Sequence, residues 1–252
     1  MATDVAGTRD HEVARAVAER AGELLLALRR DSTATSENER GAEGDRRSHD
    51  LIVAELAARC PDDHVLSEEA AGDPARLSES RVWIVDPLDG TREYREGRDD
   101  WAVHVALVVD GVPVAGAVAL PGLGSVLSTA GPLPPRPPRH GPLRVVVSRT
   151  RPPAVAEALA EALGAELVPM GSAGAKAATV IRGENDIYAH AGGQYEWDSA
   201  APVAVAIAAG LHVSRLDGSP LRYNQPDPWL PDLVICRPDL AEAVLAVTRK
   251  AS

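Results

Sequence analysis

Residues Trp83 to Tyr94 read WIVDPLDGTREY. A Val/Ile run predicts a β-strand that delivers Asp86 at its end. Pro87 then predicts a turn, and Asp89 follows with Gly90 and Thr91 behind it. In such a turn the carboxylates of Asp86 and Asp89 and the carbonyl of Leu88 can converge on one region. These are hard oxygen donors of the kind Mg2+ takes. Asp-Pro and Asp-Gly are also ordinary turn signals, so the stretch alone leaves both readings open.

Two further stretches carry acids at comparable places. VLSEEA ends another predicted strand with Glu68 and Glu69, a pair that in isolation reads as a solvated face. QYEWDSAAPVAVAIAAG puts Asp198 at the start of an apolar helix, where an N-cap would suffice to explain it. Taken together, acids at two strand ends and one helix start outline a carboxylate site for divalent cations. If Glu68, Asp86, Asp89 and Asp198 converge, any two charges about 6 Å apart repel by about 3 kcal/mol at an effective dielectric of about 20. Such a cluster requires neutralisation, and with two or three Mg2+ it would attract a phosphate dianion. That composition suits metal-assisted phosphoester hydrolysis.

The rest of the chain is consistent with a folded soluble protein. Its 252 residues allow one large domain or two intimate halves. Hydrophobic residues make up 45% and charged residues 25%, but aromatics are only 3% with no Phe, so Ala, Val and Leu must build the core. With 26 Lys plus Arg against 37 Asp plus Glu, the net charge of -11 argues against nucleic acid or an anionic membrane as partner. A small anion remains possible if the sign is reversed locally. Cys60 and Cys236 form no disulfide framework or zinc spacing, and none of the seven His has metal-ligand spacing. The amino terminus lacks an apolar signal region and no stretch reaches the length of a membrane span, so the sequence reads as cytoplasmic.

Val13, Val17, Ala21, Leu24, Leu25 and Leu28 predict an amphipathic helix over residues 11–30. The polar stretch DSTATSENERGAEGD predicts a loop, with a second helix from near Asp45. Residues 64–133 carry Val-rich strands, with Asp110-Gly111 as a hairpin turn. Six prolines between Pro132 and Leu143 mark a boundary between an amino-terminal α+β half, 1–135, and a carboxy-terminal α/β half, 143–252. The second half alternates strands and helices, with helices expected over 153–163, from about Ala173, over Asp198–Ala209 and over 239–247.

VLSEEA, DPLDGT and WDSAA, in that order, resemble the inositol monophosphatase superfamily of Mg2+-dependent, Li+-sensitive phosphatases. GRDDWAVHVALV, RPPAV, GSAGAKA, HAGGQYEWDSAAP and SRLDGSPLRYNQPDPWLPDL are similar to the actinobacterial CysQ-type branch. Members of that branch remove the 3'-phosphate of 3'-phosphoadenosine 5'-phosphate in sulfur assimilation. The resemblance implies an α/β (α+β) fold, a layered αβαβα sandwich, often as a homodimer. It implies that Glu68, Asp86, the carbonyl of Leu88, Asp89 and Asp198 hold two or three Mg2+, and that Glu68 and Thr91 share activation of the attacking water. The amides of Gly90 and Thr91 would cradle phosphate. Asp89, Leu88 and Asp198 would border the substrate, and Gly171, Ser172 and Ala173 would line its leaving-group side.

Many relatives carry Ser-Pro-Val-Thr-x-Ala-Asp ahead of the second helix, where this chain has GAEGDRRSHD. Asp45 matches that family Asp, with Asp50 as the competing choice. The alternative substrates within the superfamily are inositol monophosphate and fructose 1,6-bisphosphate, so the partner is a small phosphorylated nucleotide or sugar phosphate. Arg92, Arg95 and Arg98 are either grips for a second phosphate or surface charges. A haloacid-dehalogenase-like nucleophile needs Asp residues two apart, whereas Asp86 and Asp89 are three apart. A nucleotide-binding regulator on the same fold would have lost a ligand, and all four carboxylates are present.

Overall fold

A computed structural model describes residues 6–31, 36–70, 72–137 and 140–250. The first sheet takes its strands in sequence order, β1 (His64–Ser67), β2 (Arg81–Asp89), β3 (Ala102–Val109), β4 (Val112–Leu120) and β5 (Ser125–Ser128). Only β1 and β2 run parallel in it. Asp110 and Gly111, with φ of 50° and 78°, make the expected hairpin turn between β3 and β4. The second sheet has the order β7-β6-β8-β10-β9, from β6 (Arg144–Ser148), β7 (Glu166–Met170), β8 (Ile187–Tyr195), β9 (His212–Ser214) and β10 (Trp229–Cys236). Here β6 pairs in parallel with β7 and β8, and β10 runs antiparallel to β8 and β9.

Helices fill three layers around the sheets. On the outer face of the first sheet lie α1 (Thr8–Asp31) and α2 (Glu37–Arg59). The stripe Val13, Val17, Ala21 and Leu25 of α1 meets Trp83, Val103, Val105 and Ala117 of the sheet. Each fully buried Val or Leu there contributes about 1.5–3 kcal/mol. Between the sheets lie α5 (Ala173–Ile181) and α6 (Glu196–Ala208), whose Ala-rich surfaces reach Ile84, Ala106 and Val118 on one side and Tyr188, Leu233 and Ile235 on the other. The outer face of the second sheet is covered by α4 (Ala154–Leu163) and α7 (Ala241–Thr248) through Val155, Leu159 and Val244. The result is the expected αβαβα sandwich. Small residues in the central layer let two sheets share one pair of helices, which explains how a chain so poor in aromatics builds a core.

Two boundaries differ from the sequence reading. Residues 36–45, expected in a loop, belong to a helix: Ser36 accepts from the Glu39 amide at 3.2 Å, the Glu39 carboxylate accepts from the Ser36 amide at 3.2 Å, and α2 follows from Glu37. The glycines that suggested a loop serve close packing, since a Cβ at Gly44 would lie 3.2 Å from both Leu88 and Tyr94. Residues 32–35 of the expected loop lie outside the described residues. Likewise α6 begins at Glu196, two residues before Asp198. Among the described residues no helix is long and apolar enough to cross a membrane.

Candidate active site

Along β2, Val82 and Ile84 face the inter-sheet core while Trp83 and Val85 face the outer helices. In a regular strand Asp86 and Asp89, three apart, would point to opposite faces. They do not, because Asp86 stands opposite His104 and Asp89 opposite Ala102, so three steps on β2 match two on β3. This β-bulge, in place of the expected turn, brings both carboxylates to the inner face. Pro87 suits a bulge because it has no N–H to leave unpaired. Its carbonyl accepts from Ser48 Oγ at 2.7 Å, Asp86 Oδ1 accepts from the Leu88 amide at 3.0 Å, and the Leu88 side chain is buried in the outer core.

The inner face is where α6 presents Asp198. Its Oδ2 accepts from the Tyr195 amide at 2.6 Å, so the residue reaches back over the helix start from inside the first turn. Oxygens of Asp86, Asp89 and Asp198 all lie within 4.8 Å of one another. Glu68 stands just past β1, exposed at the rim but within electrostatic reach of all three. Burial, then the charges of Glu68, Asp89 and Asp198, push the Asp86 carboxyl well above the usual range. Burial and Asp89 push Asp198 up to about 6. Desolvation, with Asp198 and Asp45, pushes Glu68 up to about 7. At an effective dielectric of about 20, two charges so close repel by about 3 kcal/mol. Hard, anionic oxygens crowded in this way fit a divalent cation such as Mg2+.

Asp89 is held differently from its neighbours. Its carboxylate accepts from Ser172 Oγ, from the Ala173 amide at 3.1 Å and from the Gly174 amide at 2.6 Å, at the positive end of α5. His104 Nε2 stands 3.3 Å from Asp89 Oδ2. The other ring nitrogen is 3.0 Å from the Trp197 carbonyl, which can only accept, so Nδ1 carries a proton. Burial opposes charge on both groups, but the contacts with His104, Lys176 and Ser172 hold Asp89 below its ordinary range. Asp89 in turn raises His104. Ser172 sits at φ 50°, a costly conformation for a residue with a Cβ, fixed by its bonds to Asp89 and to the Ala175 amide. At Gly174 any Cβ would collide with the His104 ring.

On the other flank, Thr91 Oγ1 lies 3.2 Å from Asp45 Oδ1 and 3.1 Å from the Leu88 carbonyl. Burial and the charge of Glu69 push Asp45 up to about 7, against the bond from Thr91. The competing Asp50 is exposed and pairs with Arg46 at 3.2 Å on the outside of α2. Gly90, at φ 88°, turns the chain from β2 into α3 (Thr91–Arg95), a single turn of helix. The three arginines are engaged elsewhere, Arg92 with Glu96 at 3.4 Å, Arg95 with Asn38 at 2.5 Å and Arg98 with Asp100 at 2.7 Å.

From Asp89, Gly90 and Asp198 an open pocket of ≈ 460 Å³ extends past Ser172 and Ala173 toward the second sheet. Gly171 lies behind them, donating its amide to Asp100 at 2.8 Å with its α-carbon against Glu93. The far wall includes Lys176, Tyr188, His190, Gln194, Tyr195 and Trp229, to none of which the sequence assigned a role, although all but Tyr188 lie in the stretches similar to the CysQ-type branch. Two signals pointed there: consecutive glycines, Gly192-Gly193, inside a strand, and aromatics at 188, 195 and 229 in a chain with few of them.

The model of the inositol monophosphatase family matches residues 8–133 and 137–252. The chain is 52% identical over 242 residues to the 3'-phosphoadenosine 5'-phosphate phosphatase of Mycobacterium tuberculosis, covering 92% of this chain and 90% of that one. It is 32% identical over 213 residues to the 3'(2'),5'-bisphosphate nucleotidase CysQ of Escherichia coli, covering 79% and 86%. Among solved structures, CysQ from Bacteroides thetaiotaomicron superposes with a TM-score of 0.78 at 29% identity, over 90% of this chain and 96% of that chain.

Proposed function

Since the chain belongs to the inositol monophosphatase family, we propose that it is a phosphatase hydrolysing the 3'-phosphate of 3'-phosphoadenosine 5'-phosphate to AMP and phosphate. The observation that carries this reading is the adjacency of Asp86, Asp89 and Asp198 to the mouth of a pocket wide enough for a nucleoside. In this reading Glu68, Asp86, the Leu88 carbonyl, Asp89 and Asp198 hold two or three Mg2+. When bound, the cations supply Lewis-acid polarisation of the phosphoryl group and make water a stronger nucleophile.

The remaining steps belong to side chains. With its proton directed to Asp45, the Thr91 hydroxyl offers a lone pair that orients the attacking water. Glu68, at the rim, shares with Thr91 in the activation of this water. The amides of Gly90 and Thr91 face the phosphate. Ser172 and Ala173, fixed by Asp89, border the departing nucleoside oxygen. Asp89 thus ties the geometry of the carboxylate cluster to that of the leaving-group pocket. The same reading carries inhibition by Li+, a role in sulfate assimilation, and a cytoplasmic homodimer in which each chain has an amino-terminal half, 1–135, and a carboxy-terminal half, 143–252.

The test is a comparison of kcat/KM on 3'-phosphoadenosine 5'-phosphate, inositol 1-phosphate and fructose 1,6-bisphosphate, each with Mg2+ and with Mg2+ plus Li+. The nucleotide is expected to be preferred and Li+ to suppress turnover. Absence of Mg2+-dependent phosphate release from all three, or preference for the inositol ester, defeats the proposal.

A further inference from the structure

Among the pocket groups that the phosphate chemistry leaves unused, one is unpartnered. Gln194 lines the pocket from the end of β8 and is only 7% exposed, yet neither its carboxamide nitrogen nor its oxygen has a hydrogen-bond partner among the described residues. Buried amides are normally satisfied, and one that is not weakens the fold relative to an apolar side chain of the same shape. The strand does not call for glutamine: Gln194 sits opposite Leu230 in the ladder with β10, where Met or Leu would serve.

Its neighbours suggest what would complete it. Tyr195 stands opposite Trp229, and both are about half exposed at the pocket mouth, 45% and 49%. The Trp229 indole is seated against Gly193, where a Cβ would lie 2.5 Å from the indole nitrogen. Gln194, Tyr195 and Trp229 thus all line this pocket, and the carboxamide carries a donor and an acceptor with no partner among the described residues. The chemical complement is a base with a flat face and an amino donor next to a ring-nitrogen acceptor, which is the edge of adenine. On the edge that includes N7, guanine and hypoxanthine present an oxo group beside the ring nitrogen, two acceptors that would oppose the carboxamide oxygen.

We propose that Gln194 reads the edge of adenine formed by its amino group and N7. This assignment rests on the nucleotide reading above and adds a basis for selection among bases. The carboxamide atoms are buried in the free protein, so the assignment requires a change of rotamer at Gln194 that brings them to the pocket surface in the complex.

The experiment compares the unaltered protein with Gln194→Met, which keeps length and removes hydrogen bonding. Steady-state kinetics are measured on 3'-phosphoadenosine 5'-phosphate, on its inosine counterpart and on a base-free ribose phosphate ester, together with the thermal midpoint. The unaltered protein should show a KM about tenfold lower for the adenosine compound than for the inosine one. Gln194→Met should raise the adenosine KM about tenfold, erase the preference, leave kcat and the base-free ester within about twofold, and keep or raise the thermal midpoint. An unchanged KM and preference overturns the assignment. So does a fall in thermal midpoint with equal losses on all three substrates, which would make Gln194 a structural residue satisfied by internal water. If the unaltered protein hydrolyses the base-free ester but neither nucleotide, the nucleotide reading itself fails and the assignment falls with it.

Discussion

Asp89 accepts from Ser172, Ala173 and Gly174 and stands beside His104, whereas across the pocket Tyr195 and Trp229 are about half exposed and the Gln194 carboxamide has no partner among the described residues. The first region is over-determined: a β-bulge, a helix start, a strained serine and a histidine that leaves no room for a Cβ at Gly174 all fix one carboxylate. The second region is under-determined in the free protein. The contrast separates two tasks, since transition-state charge requires groups set in advance, while recognition can be completed by the ligand. Substitutions on the first side should act on kcat and stability together, and those on the second side on KM alone.

Asp89→Asn should give the largest effect. It removes a charge from the cluster and turns an N–H toward amides that already donate, so kcat/KM should fall by about 10^3-fold and the thermal midpoint should drop by several degrees. Phosphate release and calorimetry together check this, and a variant within tenfold of the unaltered protein would break the distinction between the two sides. Thr91→Val keeps shape and removes the hydroxyl between Asp45 and Leu88. It should lower kcat by about 10^2-fold with little change in KM. Trp229→Ala lies on the permissive side and should raise KM for the nucleotide about tenfold, with kcat and thermal midpoint nearly unchanged.

The smallest expected effect is a pH dependence of stability. Asp45, Glu68 and Asp198 have folded pKa values near 7, 7 and 6, above their unfolded values. Between about pH 4 and 7 the folded, metal-free state therefore binds more protons than the unfolded state, and stability falls as pH rises through that window. The raised His104 acts in the same direction, losing its contribution as pH rises through its folded value. Asp89, depressed, acts oppositely but at lower pH. Metal-free protein should melt a few degrees higher at pH 5.5 than at pH 8, the exposed Glu68 contributing least, and added Mg2+ should raise the midpoint more at pH 8. Equal Mg2+ shifts at both pH values would argue that these carboxylates do not receive the cation.

Much of this arrangement is legible in the sequence. Strand runs, the Asp-Gly hairpin and the helical stripe of α1 are local patterns, whereas Asp86-Pro87-Leu88-Asp89 reads as a turn in the sequence and is a bulge only once its pairing with β3 is seen. The start of α2 is not legible, because Gly41 and Gly44 look like loop residues until Arg95, Tyr94 and Leu88 are seen against them. That helix turns Asp45 toward Thr91 and Asp50 outward to Arg46. The second wall of the pocket is hidden for another reason. Gln194, Tyr195 and Trp229 are placed on one pocket by pairing between β8 and β10, whose partners here are 34 and 36 residues apart (229 − 195 and 230 − 194), and no local pattern encodes such a pairing.

The central claim is that this site removes the 3'-phosphate and spares the 5'-phosphate of a nucleotide, with a divalent cation held by Asp86, Asp89 and Asp198. Incubation of 3'-phosphoadenosine 5'-phosphate with the purified protein, followed by phosphorus NMR with Mg2+ and with a chelator, tests it most directly. The account predicts one equivalent of inorganic phosphate and 5'-AMP with Mg2+ and an unchanged substrate with chelator. Loss of the 5'-phosphate, or equal turnover in chelator, would contradict it.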